Sequence, residues 1–346
     1  MQALAKVAPG ADRLELRDRA TPSPAHDEVV IEVAAAGVCG SDLHLQRGTL
    51  PLVEKDYPVW MGHEYAGTIV AVGQGADPAW VGARVTAEPS AGCGACAMCT
   101  GGHANLCPMR RFDAGGFAAH VAVPVERLHR LPDDVPFEVG ALAEPLACAV
   151  HGLIEVAHLN PGDLCVVIGP GPLGLLTALA AEAHGAVAVV VGRETSRPRL
   201  DLARSLELDA IEIGPSDPLA QLEGITGARG ADLVVGCAGG SGALATALAV
   251  VRPRGAYLEL ALGSAPALVH PDIIALRELR LMGSVGHTPT AWRRVMLMLG
   301  SGALPASKLA GLVTVSYPLS AWSAAFAAAA GRTEGKVLIR PQPSSP

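Results

Sequence analysis

Four cysteines of this chain fall within fifteen residues: Cys93, Cys96, Cys99 and Cys107, spaced C-x2-C-x2-C-x7-C. Spacing this short lets successive thiolates turn toward one ion, and tetrahedral zinc accepts four sulfurs at about 2.3 Å. A four-thiolate shell leaves no open position, so an ion held there would be structural. Gly92, Gly94, Gly101 and Gly102 suit a tight loop wrapped around it. The plain alternative is two disulfides or four free thiols. The N-terminal MQALAKVAPG has no apolar stretch or cleavage pattern of an export signal, which favours metal and makes a cytoplasmic protein the default. A nucleic-acid-binding zinc ribbon would need more positive charge than Arg110 and Arg111 supply.

A second set of ligand-type residues is scattered. Cys39 lies in GVCGSDLH, His63 and Glu64 in MGHEYAG, and Glu144 in ALAEPLACAVHG. Alone, each has an ordinary explanation: a buried Cys is usually a small hydrophobe, and a His-Glu pair usually makes hydrogen bonds. Together they offer a thiolate, an imidazole and two carboxylates, a set suited to a catalytic zinc with an exchangeable position.

The third motif is GPGPLG, Gly169 to Gly174, between the apolar run Leu164 to Ile168 and an Ala/Leu-rich segment. A G-x-G-x-x-G turn between a strand and a helix predicts a dinucleotide site. Gly169 permits the tight turn, Gly171 lets the pyrophosphate approach, and Gly174 lets helix and strand pack closely. Pro172 and Leu173 open the helix, where a missing proline N–H matters little. Past the next strand, in VVVGRETSRPRL, counting forward from Gly169 puts Arg193 where the ribose hydroxyls are read. One extra residue in this loop would put Glu194 there instead. Arg193, Ser196, Arg197 and Arg199 would cradle a 2′-phosphate and Glu194 would repel it. The arginines tilt the expectation toward NADP over NAD, against the alternative of an ordinary solvated loop.

These motifs need two kinds of scaffold. The chain has 346 residues, half of them apolar but only 3% aromatic, so an aliphatic core and two domains are expected. Mean hydropathy is positive at +0.35, yet no apolar run reaches the roughly 18 residues of a membrane span. The most apolar stretch, Ala178 to Val191, is broken by Glu182, His184 and Gly185. Net charge is −7 with no basic block, which argues against nucleic acid as partner. Glu28 to Ala34, Tyr65 to Val72, Arg84 to Glu88 and Ala118 to Val123 read as short strands of a β-rich domain over 1–148. From 149 to 283 strand and helix alternate: strands Leu164 to Ile168, Ala186 to Val191, Leu233 to Gly236 and Ala256 to Leu260, with a helix over Arg199 to Leu206. That alternation predicts an α/β Rossmann domain with a doubly wound parallel sheet. Residues 284–346 return to a mixed texture, ending in a QPSSP tail expected to fray.

GVCGSDLH, GHEYAGTIVAVG, the four-cysteine lobe, EPLACAVHG and the glycine turn occur in that order, from about Met1 to Arg340. The chain thereby resembles the zinc-dependent medium-chain dehydrogenase/reductase family, nearest its sorbitol-type and secondary-alcohol branch. The resemblance implies a GroES-like catalytic domain beside the Rossmann domain, one catalytic and one structural zinc, NAD(P), and a homodimer or homotetramer. It implies Cys39, His63 and Glu64 as catalytic-zinc ligands with water or alcohol in the fourth position. Glu144 would approach the same ion, directly or through the bound water. Ser41 and His44 match a relay that carries the alcohol proton outward by way of the cofactor ribose. Alternatively, Ser41 caps a helix starting at Asp42 and His44 is exposed on it. By position, Leu45, Leu50, Trp60, Phe112 and His287 are candidate pocket walls, with Trp60 and Phe112 equally suited to core packing. Two rivals stand beside this reading: a zinc-free enone or quinone reductase of the same fold, and a non-catalytic dinucleotide-binding protein.

Overall fold

Short strands punctuated by glycine and proline fill the first 130 residues, and their register decides which side chains meet. The computed structural model describes residues 1–49, 57–214, 218–227, 229–238, 241–262 and 266–341. It divides into two units: Met1–Glu144 with Thr288–Pro346, and Pro145–His287.

In the first unit, β1 (Gln2–Lys6) and β2 (Leu14–Asp18) form a small antiparallel sheet. The long strand β3 (Glu28–Gly37) leads into the helix α1 (Gly40–Arg47), and β4 (Val59–Trp60) joins the sheet of β1. Next come β5 (Glu64–Val72), β6 (Arg84–Ala87) and the two-residue strand β7 (Ser90–Ala91). The helical turn α2 (Ala97–Thr100) separates β7 from its partner β8 (Arg111–Phe112). Then follow β9 (His120–Pro124), β10 (Leu128–Arg130) and α3 (Phe137–Gly140), and α4 (Ala143–Val150) begins here and continues into the second unit's segment. β3 is central: it pairs with β5 on one side and with β9 on the other. Val29, Ile31 and Val33 of β3 join Leu4, Ile69, Val85, Phe117 and Phe326 in one aliphatic core, while Glu32 faces solvent.

The second unit is a parallel α/β sheet. Its elements alternate as β11 (Leu164–Ile168), α5 (Pro172–Ala183), β12 (Val187–Gly192), α6 (Arg197–Ser205), β13 (Asp209–Glu212), α7 (Pro218–Thr226), β14 (Ala231–Gly236), α8 (Ser241–Val250), β15 (Val251–Glu259), α9 (Pro271–Leu276) and β16 (Arg280–Gly283). Strand order is β13-β12-β11-β14-β15-β16. The order reverses between β11 and β14, where doubly wound sheets bind ligands at the strands' carboxyl ends. β11 reads LCVVI because both its faces are covered. Val166, Ile168, Val189, Val191 and Val234 form the core on one face.

The chain then returns to the first unit through α10 (Pro289–Gly300), α11 (Ala306–Leu312), β17 (Val313–Pro318), α12 (Trp322–Ala330) and β18 (Lys336–Arg340). β18 adds antiparallel to the end of β3, pairing Leu338 with Gly37. Leu164–Ile168 forms as expected from its apolar run. The α6 helix begins two residues earlier than its apolar periodicity suggests, because Pro198 fits the first turn. Ala118 makes an isolated bridge to Ala3, and the strand proper starts at His120. Among the described residues no helix is long and apolar enough to cross a membrane. Leu50 and the QPSSP tail lie outside the described residues.

Candidate metal and dinucleotide sites

Register builds the first site. Gly37 at the end of β3 pairs with Glu64 at the start of β5. Cys39, two residues past Gly37, is thereby brought beside His63 and Glu64. One ligand atom from each of the three lies within 4.8 Å of the others. His63 and Glu64 are buried and Cys39 is partly open. Glu64 Oε2 pairs with the Lys336 ammonium of β18, while Oε1 is buried with no hydrogen-bond partner among the described residues. A stranded carboxylate oxygen beside a thiol and an imidazole is the donor set a zinc ion satisfies.

Asp42 completes the local design. The helix α1 is capped by Cys39 rather than Ser41, with the Asp42 carboxylate accepting from the Cys39 N–H at 2.9 Å. The other Asp42 oxygen lies 3.7 Å from His63 Nδ1. This turns Nε2 toward the ligand cluster, as carboxylate partners of metal-binding histidines do. Ser41 therefore sits inside the first turn, its Oγ 3.4 Å from His63 Nε2. His44 follows one turn along α1, half-buried, its Nδ1 2.9 Å from Thr49 Oγ1. Burial pushes the Asp42 carboxyl up. For His63, burial alone would lower the pKa, but Asp42 and Cys39 outweigh it and raise it well above the ordinary value. Burial would likewise lower Lys336; facing Glu64, with Cys39 and Glu144 nearby, raises it. Glu144, buried at the start of α4, lies outside the tight three-residue group.

Gly37 has no room for a side chain. A Cβ there would fall 2.1 Å from Glu64 Oε2 and 2.6 Å from Lys336 Cε. Asp42, Gly37 and Lys336 were not singled out from sequence. Asp42 had a signal, a carboxylate three residues past the Cys39 cap position; Lys336 in GKVLIR had none.

The four cysteines of the lobe also converge, their sulfurs within 4.8 Å of one another. Cys96 Sγ is 3.6 Å from that of Cys99 and 3.7 Å from that of Cys107. A tetrahedron with about 2.3 Å bonds has edges of about 3.8 Å, so four sulfurs at these separations fit a zinc ion. Backbone N–H groups of Ala95 and Cys96 pull the Cys93 thiol down to about 6. Desolvation pushes Cys99 up to about 11.

In the second unit the glycine turn takes the form its spacing suggests. Gly169 has φ +110°, and a Cβ there would meet Ala238 at 2.7 Å. A Cβ on Gly174 would lie 2.0 Å from the Gly169 carbonyl, so helix and strand approach as closely as backbone allows. At Gly171 the space is open, with only Arg199 Nη1 as near as 3.9 Å. Pro172 is at the first position of α5, and Leu175 N–H already bonds the Gly171 carbonyl. Leu173 and Gly174 N–H groups, which have no acceptor within the helix, head an anion-binding end.

The loop after β12 separates its charges. Arg197 makes a bidentate pair with Glu212 at 2.8 and 2.9 Å. Glu194 is 82% exposed and 3.9 Å from Arg197. Arg193 lies across the start of α8, its Nη2 2.8 Å from where a Gly242 Cβ would be. Ser196 donates its backbone N–H to the Arg193 carbonyl at 2.8 Å.

Of the pocket-wall candidates, Phe112 faces the metal-type cluster, its ring 5.2 Å from that of His63. Leu45 packs against the first unit's core. Trp60 stacks under the Arg19 guanidinium at 4.7 Å. His287 is buried in the second unit.

A strand-rich unit presenting a Cys/His/Glu cluster, with a Rossmann sheet presenting a glycine turn, is the architecture of a medium-chain dehydrogenase. Residues 25–133 match the alcohol dehydrogenase GroES-like domain, and 172–301 match the zinc-binding dehydrogenase family. A sorbitol dehydrogenase of Halalkalibacterium halodurans is 34% identical over 99% of both chains. A D-arabitol-phosphate dehydrogenase of Enterococcus avium is 33% identical, over 99% of this chain and 98% of its own. A solved alcohol dehydrogenase of Escherichia coli CFT073, complexed with NADH, has a TM-score of 0.87 at 26% identity, covering 98% of this chain and 99% of its own. The chain belongs to the zinc-type alcohol dehydrogenase family, in its polyol dehydrogenase branch.

Proposed function

We propose that the protein is a zinc-dependent oxidoreductase that interconverts a secondary alcohol or polyol and its ketone, with NAD(P) as hydride partner. The observation that carries this reading is the meeting of Cys39, His63 and Glu64, with one Glu64 oxygen buried and unsatisfied. The strand-rich unit would carry the alcohol chemistry and Pro145–His287 would bind the dinucleotide. The family's relatives act, by their names, on sorbitol and on arabitol phosphate.

Cys39, His63 and Glu64 would hold the ion and leave a position for the alcohol. A zinc ion there lowers the pKa of an alcohol oxygen by several units, or polarises the ketone in reverse. Asp42 keeps the His63 ring turned toward the site, and Lys336 holds Glu64 by one oxygen. Ser41, whose Oγ lies 3.4 Å from His63 Nε2, would take the alcohol proton. His44, one turn further along α1, would pass it toward solvent, a task an imidazole suits. Glu144 stands outside the three-ligand group, which supports a role through a bound water. The lobe of Cys93, Cys96, Cys99 and Cys107 would hold a second, structural zinc, and its free thiols suit a reducing cytoplasm.

Leu173 and Gly174 N–H groups would bind the dinucleotide diphosphate, with Gly171 leaving room for its approach. Arg197 is committed to Glu212, and Glu194 leans toward Arg197. Arg193 lies at the start of α8, a placement that favours a 2′-phosphate and so NADP slightly over NAD. The apolar Phe112 ring at the site supports a substrate with at least one apolar arm.

The test is a panel of alcohols, polyols and ketones assayed with NAD and NADP in parallel, with zinc content measured on the same preparation. Two zincs per chain are expected, with turnover lost in Cys39→Ser together with one zinc. An active Cys39→Ser enzyme free of that zinc would point to the zinc-free reductase. Cofactor binding without turnover on any substrate would point to a dinucleotide-binding protein.

A further inference from the structure

Phe112 is an unusual side chain: half of it is exposed, yet its ring lies against His63, which is buried. It does not belong to the core. It is delivered by β8, a two-residue strand whose partner is β7, in the register Ser90↔Phe112 and Ala91↔Arg111. Two residues per strand are too few to hold a hairpin in place by themselves. What holds this one is at its far end. β7 runs within two residues into Cys93, and Cys107 lies four residues before β8. Both arms therefore terminate in the four-sulfur cluster.

The junction is tight. Gly92, between β7 and Cys93, would place a Cβ 2.4 Å from Cys99 Sγ. The Cys93 N–H points at Cys107 Sγ at 3.3 Å, and the Arg110 guanidinium donates to the Asn105 carbonyl at 3.0 Å. On the near side, the Asp113 N–H donates to the Pro89 carbonyl at 2.7 Å, and buried Arg127 donates to the Asp113 carboxylate at 2.6 Å. Phe112 is thus clamped between the lobe on one side and the Asp113 anchor on the other.

We propose that the four-cysteine lobe is a positioning device for the alcohol site: by closing the β7–β8 hairpin it seats Phe112 over His63, and so sets the apolar wall that selects the substrate. The proposal rests on the zinc alcohol dehydrogenase reading for its substrate consequence. Its geometric consequence, that emptying the lobe moves Phe112 off His63, does not depend on turnover.

The experiment compares wild type, Phe112→Ala and the double variant Cys96→Ser/Cys99→Ser as full-length protein. Three quantities are read: zinc per chain, the ring resonances of His63 with labelled histidine, and kcat/KM for a short and a bulky secondary alcohol. Phe112→Ala is expected to keep both zincs, shift the His63 resonances through loss of the ring current, and lose about tenfold in kcat/KM for the short alcohol, mainly through KM. The cysteine variant is expected to lose the lobe zinc alone and to reproduce the His63 shift and the changed selectivity. Combining the changes should add little, because both remove the same contact. A folded cysteine variant with an empty lobe, a wild-type His63 signal and wild-type selectivity overturns the proposal, as does full additivity. Should that variant not fold, Asp113→Ala cuts the other anchor and leaves the four sulfurs in place. It must displace the His63 signal toward that of Phe112→Ala, and a wild-type signal there overturns the proposal equally. Absence of turnover in every variant would instead refute the alcohol reading and leave the His63 result standing.

Discussion

Replacing Lys336 by Met removes one charge from a pair that has no access to water. Lys336 is 2% exposed and Glu64 0%. Met fills most of the volume of the lysine stem, so the packing change is small and the electrostatic loss is isolated. Breaking a buried pair from one side costs about 3–5 kcal/mol, because the remaining charge is left without a partner. Cys39, Asp42 and Glu144 around this carboxylate supply no positive charge, but His63, its pKa raised, lies within 4.8 Å and can offset part of the loss, so the whole of that range applies. The first unit has roughly 200 residues, for which 1 kcal/mol corresponds to about 2–4 °C in Tm. The metal-stripped variant should therefore melt about 6–20 °C below metal-stripped wild type, read calorimetrically on that unit's transition. Adding zinc should narrow the gap, since an ion at Cys39 and His63 offers Glu64 a new partner. The double variant Glu64→Gln/Lys336→Met should recover part of the loss, because no charge remains to be stranded. Gly37→Ala should lose at least as much as Lys336→Met, its new Cβ falling 2.1 Å from Glu64 Oε2. A metal-stripped Lys336→Met protein melting within about 2 °C of wild type would refute the reasoning, since even 1 kcal/mol would exceed that.

Asp42→Ala should weaken zinc binding at the open site by about 10–100-fold, measured by chelator competition, with the lobe zinc unaffected. Unchanged affinity would show that Asp42 does not orient His63. Arg193→Ala should weaken NADP binding about tenfold while NAD binding stays within about twofold, by fluorescence titration. An equal loss for both cofactors would mean Arg193 does not read the 2′-phosphate. The carboxyl of Asp232 would be raised by its partial burial, but the Leu164 N–H and Arg252 hold it below the usual range. A lowered folded pKa means its stabilisation is complete above about pH 4 and fades as pH falls through the folded value. Being partly solvated, the group should contribute about 1 kcal/mol. Asp232→Ala should therefore lower Tm at pH 7 and by less and less as pH falls below about 4; an equal loss throughout would assign the effect to packing.

What was legible in the sequence was whatever chemistry is completed by near neighbours. The glycine turn needs a strand, three glycines and a helix start, all within about a dozen residues, and β11 and α5 follow from them. The lobe needs four cysteines within one loop. The charged loop after β12 was half legible: its arginines were visible, but not that Glu212, on β13, would claim Arg197. Lys336 was opaque for a different reason. A lysine at the start of a strand is solvent-facing by default, and its burial is an exception only register can reveal. That register is the pairing of Leu338 with Gly37 and of Gly37 with Glu64. Side chains alternate between faces along a strand, so a one-residue slip on either side would turn Glu64 or Lys336 to the opposite face. The same slip would bury the wrong residues of β3 against Phe117 and Ile69. The pairing that packs the first unit's core is thus also the pairing that assembles Cys39, His63, Glu64 and Lys336. The site is held in register by the full hydrophobic area of the sheet, and this is why it can afford a buried charge pair that is costly on its own.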